Sequence, residues 1–112
     1  MEIEDKKLLE FAAKACGIDY KMSENNPTEF IRHTENFGWI EWNPLKDDGD
    51  ALRLAAKLRL DVLTDCFGAI CIEQSGISIT EFLKSDNFDD VINATRRAIV
   101  RAAAENGEKN GD

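Results

Sequence analysis

The sequence predicts an α+β fold, a three-layer α/β/α sandwich in which three helices cover a mainly antiparallel sheet of about four to six strands. Three segments, near the start, in the middle and near the end, carry apolar residues at helical spacing. Between them lie strand-like segments that are apolar on both faces, as at Trp39, Ile40 and Trp42. Strands with two apolar faces are typical of a sheet that is covered on both sides, which indicates helices above and below it.

The chain has 112 residues, the size of one domain, and we expect that domain at residues 1–107 with a disordered tail at residues 108–112. Hydrophobic residues make up 43% of the chain, which is typical of a globular protein. Met1 is followed by acidic residues and not by a signal peptide, and no apolar run approaches the roughly 20 residues that cross a bilayer. We therefore expect a soluble, cytoplasmic protein without a membrane partner.

The net charge of −8, from 14 basic and 22 acidic residues, bears on the choice of partner. Nucleic-acid binding requires a basic stripe, and none is visible, so the sequence argues against nucleic acid as a partner. An acidic surface favours solubility and a basic partner surface. Residues 23–50 are rich in acids, as a DNA mimic that blocks a host enzyme would be, but the acids are scattered and Arg32 and Lys46 interrupt them.

The first predicted elements are a helix and a short strand. Residues 4–16 predict a helix whose buried stripe consists of Leu8, Phe11, Ala12 and Ala15. Gly17 follows as the residue that closes the helix in the left-handed conformation. The alternation of apolar and polar residues from 18 to 22 predicts a half-buried strand.

Residues 29–33 allow two interpretations. Asn26 as a cap, Pro27 at the first helical position and Glu29 at the third suit a helical turn. The apolar pair Phe30-Ile31, a polar turn at residues 34–36 and the strand-like run 37–42 suit a β-hairpin. We favour the hairpin, which places His33 near a turn.

The central stretch, residues 39–62, predicts a strand, an acidic turn, a helix and a strand. Asn43-Pro44 ends the first strand because proline has no N–H to donate. Asp47 or Asp48 then occupies the N-cap of a helix over residues 48–58, and Asp50 can pair with Arg53 one turn apart. The other interpretation of these acids is a divalent metal site. Capping is the better one, because an EF-hand loop spreads its oxygen ligands over twelve residues and here the acids are bunched.

The second half of the chain predicts more strands and a last helix. Residues 60–63 and 69–73 are too close in sequence for a crossover, so we expect them to pair antiparallel. Residues 77–80 predict a short edge strand, which with the residues up to 88 is a candidate homodimer contact. The residues predicted to make that contact are Ile77, Ile79, Phe82 and Leu83.

The last helix is predicted from Phe88 to about Asn106. Asp86 is its expected cap and Gly107 its expected end. Arg96, Arg97 and Arg101 are predicted to cluster on its exposed side, where they can contact a phosphate, an acidic partner or only solvent.

The sequence predicts no catalytic residue, no metal ligand set and no cofactor. Cys16, Cys66 and Cys71 are an odd number without C-x-x-C spacing, which indicates buried thiols in a reducing compartment. A catalytic cysteine would need a histidine, and His33 is the only one in the sequence. Sequence separation leaves such a dyad open, but no local motif supports it.

Three stretches resemble a known family. They are W-N-P-L-K-D-D-G-D-A-L-R-L-A-A-K-L at residues 42–58, L-L-E-F-A-A-K-A-C-G near the start, and A-T-R-R-A-I-V-R-A-A-A-E-N-G near the end. They resemble the small phage and prophage proteins grouped as the phage ABA-sandwich domain. The resemblance implies a three-layer α/β/α fold, a phage or prophage origin and the cytoplasm of a bacterial host. It supplies no catalytic residues, because that family has no established activity.

We therefore predict a phage accessory protein that acts by contact with a host or phage protein, and do not expect an enzyme. The alternative is a small-ligand or nucleic-acid-related binding protein, or a weak enzyme, that uses the acidic turn and nearby arginines. The candidate binding residues are Trp39, Trp42, Asp47, Asp48, Asp50, Arg53, Arg96, Arg97 and Arg101.

Overall fold

The computed structural model describes residues 3–25, 29–64, 69–74, 76–85 and 87–110. Within them the chain is α+β, with three helices and two three-stranded antiparallel sheets. The helices are α1 (Ile3–Cys16), α2 (Asp48–Leu58) and α3 (Phe88–Asn110). The strands are β1 (Tyr20–Met22), β2 (Phe30–Thr34), β3 (Gly38–Glu41), β4 (Asp61–Leu63), β5 (Ala69–Gln74) and β6 (Ile77–Phe82).

The N-terminal sheet has the strand order β1-β2-β3 and contains the favoured hairpin. Thr34 pairs with Gly38 across its turn, and the Thr34 hydroxyl donates to the Gly38 carbonyl at 2.9 Å. Gly38 has a φ of 68°, a left-handed conformation that suits glycine. The hairpin interpretation of residues 29–33 is confirmed, while the alternative cap residues Asn26 and Pro27 lie outside the described residues.

The C-terminal sheet has the order β4-β5-β6. β4 and β5 pair antiparallel, with Val62 opposite Ile72, as the short connection between them predicts. β6 is an edge strand, as predicted, and pairs along its length with β5.

Each sheet has one exposed face, which corrects the expectation of strands covered on both sides. In the N-terminal sheet the pairing places Trp39 on a face with Lys21, His33 and Glu41, and the Trp39 side chain is 43% exposed. In the C-terminal sheet the outward face includes Phe82. Apolar residues on both sides of a strand indicate cover only if the neighbouring strands are also apolar there, and the exposed face around Trp39 carries Lys21, His33 and Glu41.

The three helices contact one another in the described part of the chain. α1 and α3 pack along each other, α2 contacts both of them, and α3 also packs on β5 and β6. The strands pair with their sequence neighbours on either side of α2 and so form two sheets. The predicted single sheet of four to six strands and its α/β/α layering are therefore not confirmed.

The packing of α1 differs from the predicted stripe. Leu9 and Ala12 are fully buried, whereas Leu8 and Phe11 are only partly buried. The segment is apolar over more than half of its circumference, so periodicity alone does not fix which side faces the core. The buried core of the molecule combines all three helices with both sheets; its largest fully buried side chains are Phe30, Leu9, Ile70, Ile72, Val100 and Pro44.

The last helix continues past Gly107, which corrects its predicted end. A Cβ at Gly107 would lie 2.0 Å from the Phe11 carbonyl oxygen of α1, so glycine is needed here for close helix packing and not for termination. At the other end, the Asn87 side chain accepts from the Asp89 N–H at 2.8 Å, as an N-cap does. The predicted cap, Asp86, lies outside the described residues.

Candidate functional site

The acidic turn is a helix cap. Asp47 has extended backbone angles, and its carboxylate accepts from the Asp50 N–H at 2.9 Å, which confirms the predicted N-cap of α2. The Asp50 carboxylate does not accept a hydrogen bond from Asp47. It accepts from the Asn43 N–H at 2.9 Å and from the Arg53 guanidinium at 2.8 Å, so it joins the end of the hairpin to α2. Asp50 is 6% exposed and is buried as one half of an ion pair.

Removing the cap should have a measurable cost. We expect Asp47→Ala to lower the free energy of unfolding by about 1 kcal/mol, because the Asp50 N–H would lose the carboxylate that accepts its hydrogen bond. For a domain of this size that corresponds to a fall in Tm of roughly 4–8 °C. Lys46→Ala, at the exposed preceding position, is the matched control. If wild-type Tm rose strongly on addition of Mg²⁺ or Ca²⁺, the acids would be metal ligands and not a cap.

The three arginines of α3 do not form the predicted exposed cluster. Each of them forms an ion pair with a different element. Arg96 pairs with Asp48 in the first turn of α2 and donates through Nε to the Leu45 carbonyl at 2.9 Å. Arg97 pairs with Asp5 of α1 at 3.2 Å, and Arg101 pairs with Glu81 of β6. These side chains connect α3 to its neighbours, so they do not converge on one ligand.

The two tryptophans lie in different environments. Trp39 is on the exposed face of the N-terminal sheet, with the Lys21 ammonium 4.5 Å from its ring centre and the His33 ring at 5.3 Å. Trp42 is 4% exposed and packs in the core close to Asp50. The sequence grouped them by proximity along the chain, but only Trp42 belongs with the acidic turn.

The described residues contain no group of three or more His, Cys, Asp or Glu side chains that could hold a metal ion. Cys16 is buried and its thiol donates to the Ala13 carbonyl. Burial raises the pKa of the Cys16 thiol, which keeps it protonated and unreactive. His33 is on the exposed face of its sheet and Cys16 is in the core, so these two residues form no dyad. Cys66 and the side chain of Cys71 lie outside the described part of the chain.

The predicted homodimer residues separate into two groups. Ile77 and Ile79 are 7% and 8% exposed and belong to the core, so they are not available to a second copy. Leu83 is half-buried against the same core. Phe82, 79% exposed, is the one of the four that remains accessible. The inward face of an edge strand is buried whenever a helix packs on the sheet, and α3 does so here.

A groove runs between α1 and α3 and has a volume of about 910 Å³. Its floor is apolar, made by the partly buried Leu8 and Phe11 together with Ile79 and Ala104. Its rim carries four glutamates and two basic residues: Glu4, Glu10, Glu105, Glu108, Lys7 and Arg101. We refer to it as the acidic groove.

A second concavity, of about 310 Å³, lies where the end of α1, strand β2 and helix α2 meet. Three basic side chains line it: Arg32, Arg53 and Lys57. Asp50 is the one carboxylate that lines it within the described ranges, and it is paired with Arg53. Its remaining walls are Cys16, Gly17, Ile18, Trp42 and Leu54. We refer to it as the cationic cleft.

The sequence predicts some of the residues that line this cleft. Trp42, Asp50 and Arg53 were candidate binding residues, whereas Arg32 and Lys57 were not. Lys57 lies four residues after Arg53 in a predicted helix, so the two share a face, and that spacing was a usable signal. Arg32 comes from a different element, and only the fold brings it to α2.

None of the helices in the described residues is long and apolar enough to cross a membrane. The chain matches no family model, no curated protein and no solved structure. The resemblance to the phage ABA-sandwich proteins therefore stays a prediction from the three motifs.

Proposed function

We propose that this protein is a phage or prophage accessory protein that acts by protein–protein contact in the cytoplasm of a bacterial host. The acidic groove receives a basic, amphipathic segment of a host or phage partner. The observation that carries this proposal is the combination of an apolar floor with a rim of four glutamates. An apolar floor binds aliphatic or aromatic side chains, while the rim selects lysine and arginine over acidic residues.

Local contacts support a groove with a net negative rim. Of its two basic residues, Arg101 is engaged by Glu81 and by the Thr80 carbonyl. Burial of the Tyr20 ring, together with the nearby Glu10 carboxylate, raises the pKa of that phenol. The whole chain carries a charge of −8, which adds long-range attraction for a basic partner.

The groove can be tested with a defined peptide. A fluorescent amphipathic peptide with leucine and lysine at helical spacing should bind the wild-type protein, as read by anisotropy. A variant with Glu4, Glu10, Glu105 and Glu108 all changed to glutamine should bind at least about tenfold more weakly, since each rim charge contributes several tenths of a kcal/mol.

The matched control changes four exposed acids elsewhere to their amides: Glu24, Glu35, Asp61 and Glu73. It alters the net charge by the same amount and should retain binding. Equal loss in both variants would mean attraction to overall charge without a specific groove, and would overturn the proposal. Circular dichroism checks that both variants are folded.

Two further predictions remain proposals. The resemblance implies an α/β/α layering, with helices on both sides of the strands, and that layering is part of the proposal. A homodimer through residues 77–88 would now rest on Phe82, because Ile77 and Ile79 are buried. A catalytic role is no part of the proposal.

A further inference from the structure

The cationic cleft contains a polar atom that the described structure leaves without a hydrogen bond. The Nε atom of Arg32 is buried from solvent and has no hydrogen-bond partner. Arg32 projects from the covered face of the N-terminal sheet, on which Tyr20 and Ile40 are its cross-strand neighbours. A buried donor without an acceptor destabilises a fold, so an acceptor from outside the protein, such as a bound anion or an ordered water, would stabilise this position.

The charges around the cleft are unbalanced. Arg53 is neutralised by Asp50 at 2.8 Å. Arg32 and Lys57 form no ion pair with any residue in the described ranges, and both face the same space. Among the described residues, the cleft therefore carries two unpaired cations in a protein whose net charge is −8. They attract an anion with about two charges, and a phosphate monoester carries about −1.5 to −2 at neutral pH.

Shape and composition limit the rest of the ligand. Ile18, Trp42 and Leu54 form an apolar wall beside the cations. The volume of about 310 Å³ is at the small end of the range of ligand pockets, roughly 300–1,000 Å³. A long polyanion such as nucleic acid does not suit a cleft of this size, and the net negative charge of the protein repels it.

We infer that the cationic cleft binds a small phosphate monoester, with the phosphate between Arg32, Lys57 and Arg53 and its organic group against Trp42. Guanidinium groups bind phosphate oxygens through directed hydrogen bonds, and Arg32 and Arg53 both line the cleft. The cleft lies apart from the acidic groove and shares none of its lining residues, so the two proposals succeed or fail separately.

Phenyl phosphate, inorganic phosphate and sodium chloride at equal ionic strength are suitable probes. At a tenfold excess over Kd, a bound probe should raise the Tm of the wild-type protein by about 5 °C or more. We expect that rise with both phosphates and not with chloride. Phenyl phosphate should bind more tightly than inorganic phosphate, because its ring contacts the apolar wall. A rise of the same size in chloride would indicate charge screening alone and would overturn the assignment, as would the absence of any rise.

Two variants assign the effect to the cleft. Arg32→Met removes the unpartnered donor, so its Tm without phosphate should equal or exceed that of the wild type, while the rise with phosphate is lost. Lys57→Gln, at an exposed position, should weaken phenyl phosphate binding at least tenfold without disturbing the fold. Lys6→Gln, an exposed lysine on α1 outside the cleft, is the matched control and should bind like the wild type.

Trp42 fluorescence gives an independent readout. In a Trp39→Phe background the emission reports Trp42 alone, and it should change on titration with phenyl phosphate. Phosphate stabilisation that persists in both Arg32→Met and Lys57→Gln would place the anion elsewhere and overturn the inference.

Discussion

Replacing Gly107 with alanine should lower the free energy of unfolding by about 2 kcal/mol, although alanine is normally favoured over glycine in a helix by about 1 kcal/mol. The added Cβ would lie 2.0 Å from the Phe11 carbonyl oxygen and 2.8 Å from the Phe11 carbonyl carbon. Those atoms belong to the backbone of α1 and cannot rotate away. The two helices must therefore move apart, and the core between them loses contacts. Urea unfolding at constant pH measures the change.

Glu108→Ala is the control for Gly107→Ala, since it alters the next residue of the same helix at an exposed position. Its effect should lie within about 0.5 kcal/mol. If Gly107→Ala instead stabilised the protein, α1 and α3 would not approach each other closely at this point. That result would restore the expectation from sequence, in which Gly107 ends the helix.

Replacing Asp50 with alanine should cost about 2 kcal/mol, because the substitution removes a buried carboxylate and leaves a backbone donor without a partner. The carboxylate accepts from the Asn43 N–H and from Arg53, and the Asp50 side chain is only 7% exposed. The Asn43 N–H would then lose its acceptor at the junction of strand β3 and helix α2. Thermal or urea unfolding measures the loss.

The Arg53 side of the same pair provides the comparison. The Arg53 side chain is 63% exposed, so Arg53→Gln should cost less than about 1 kcal/mol. The asymmetry is the test: equal losses in Asp50→Ala and Arg53→Gln would mean that the ion pair, and not the bond to the Asn43 N–H, stabilises this junction. A double-mutant cycle separates the two contributions.

The local elements and their caps are predictable from the amino-acid sequence. The hairpin at Phe30–Glu41, the N-cap at Asp47 and the left-handed glycine after α1 follow from interactions within a few residues. The pairing of Asp50 with Arg53 has the same local origin, since the two residues are one helical turn apart. The candidate site was predictable to the same extent: Trp42, Asp50 and Arg53 lie in one stretch of the chain.

The tertiary structure decided every feature that depends on contacts between elements. The folded chain places the strands in two sheets with one exposed face each. Local periodicity does not specify this arrangement, because an apolar residue on a strand has the same pattern whether or not a helix covers it. The tertiary structure also decided that Arg96, Arg97 and Arg101 bind three different elements.

Two glycines show the difference most directly. Gly17 closes α1 with a φ of 71°, a role that its position after an apolar helix predicts. Gly107 occupies the equivalent position after the predicted end of α3, yet it lies within the helix because α1 passes against its backbone. Likewise Arg32 and Lys57 line the same cleft only because the fold brings β2, α2 and the end of α1 to one place. Neighbouring residues determine the local conformational preference of the backbone. Close packing and the grouping of charged side chains depend instead on which distant segments the fold brings together.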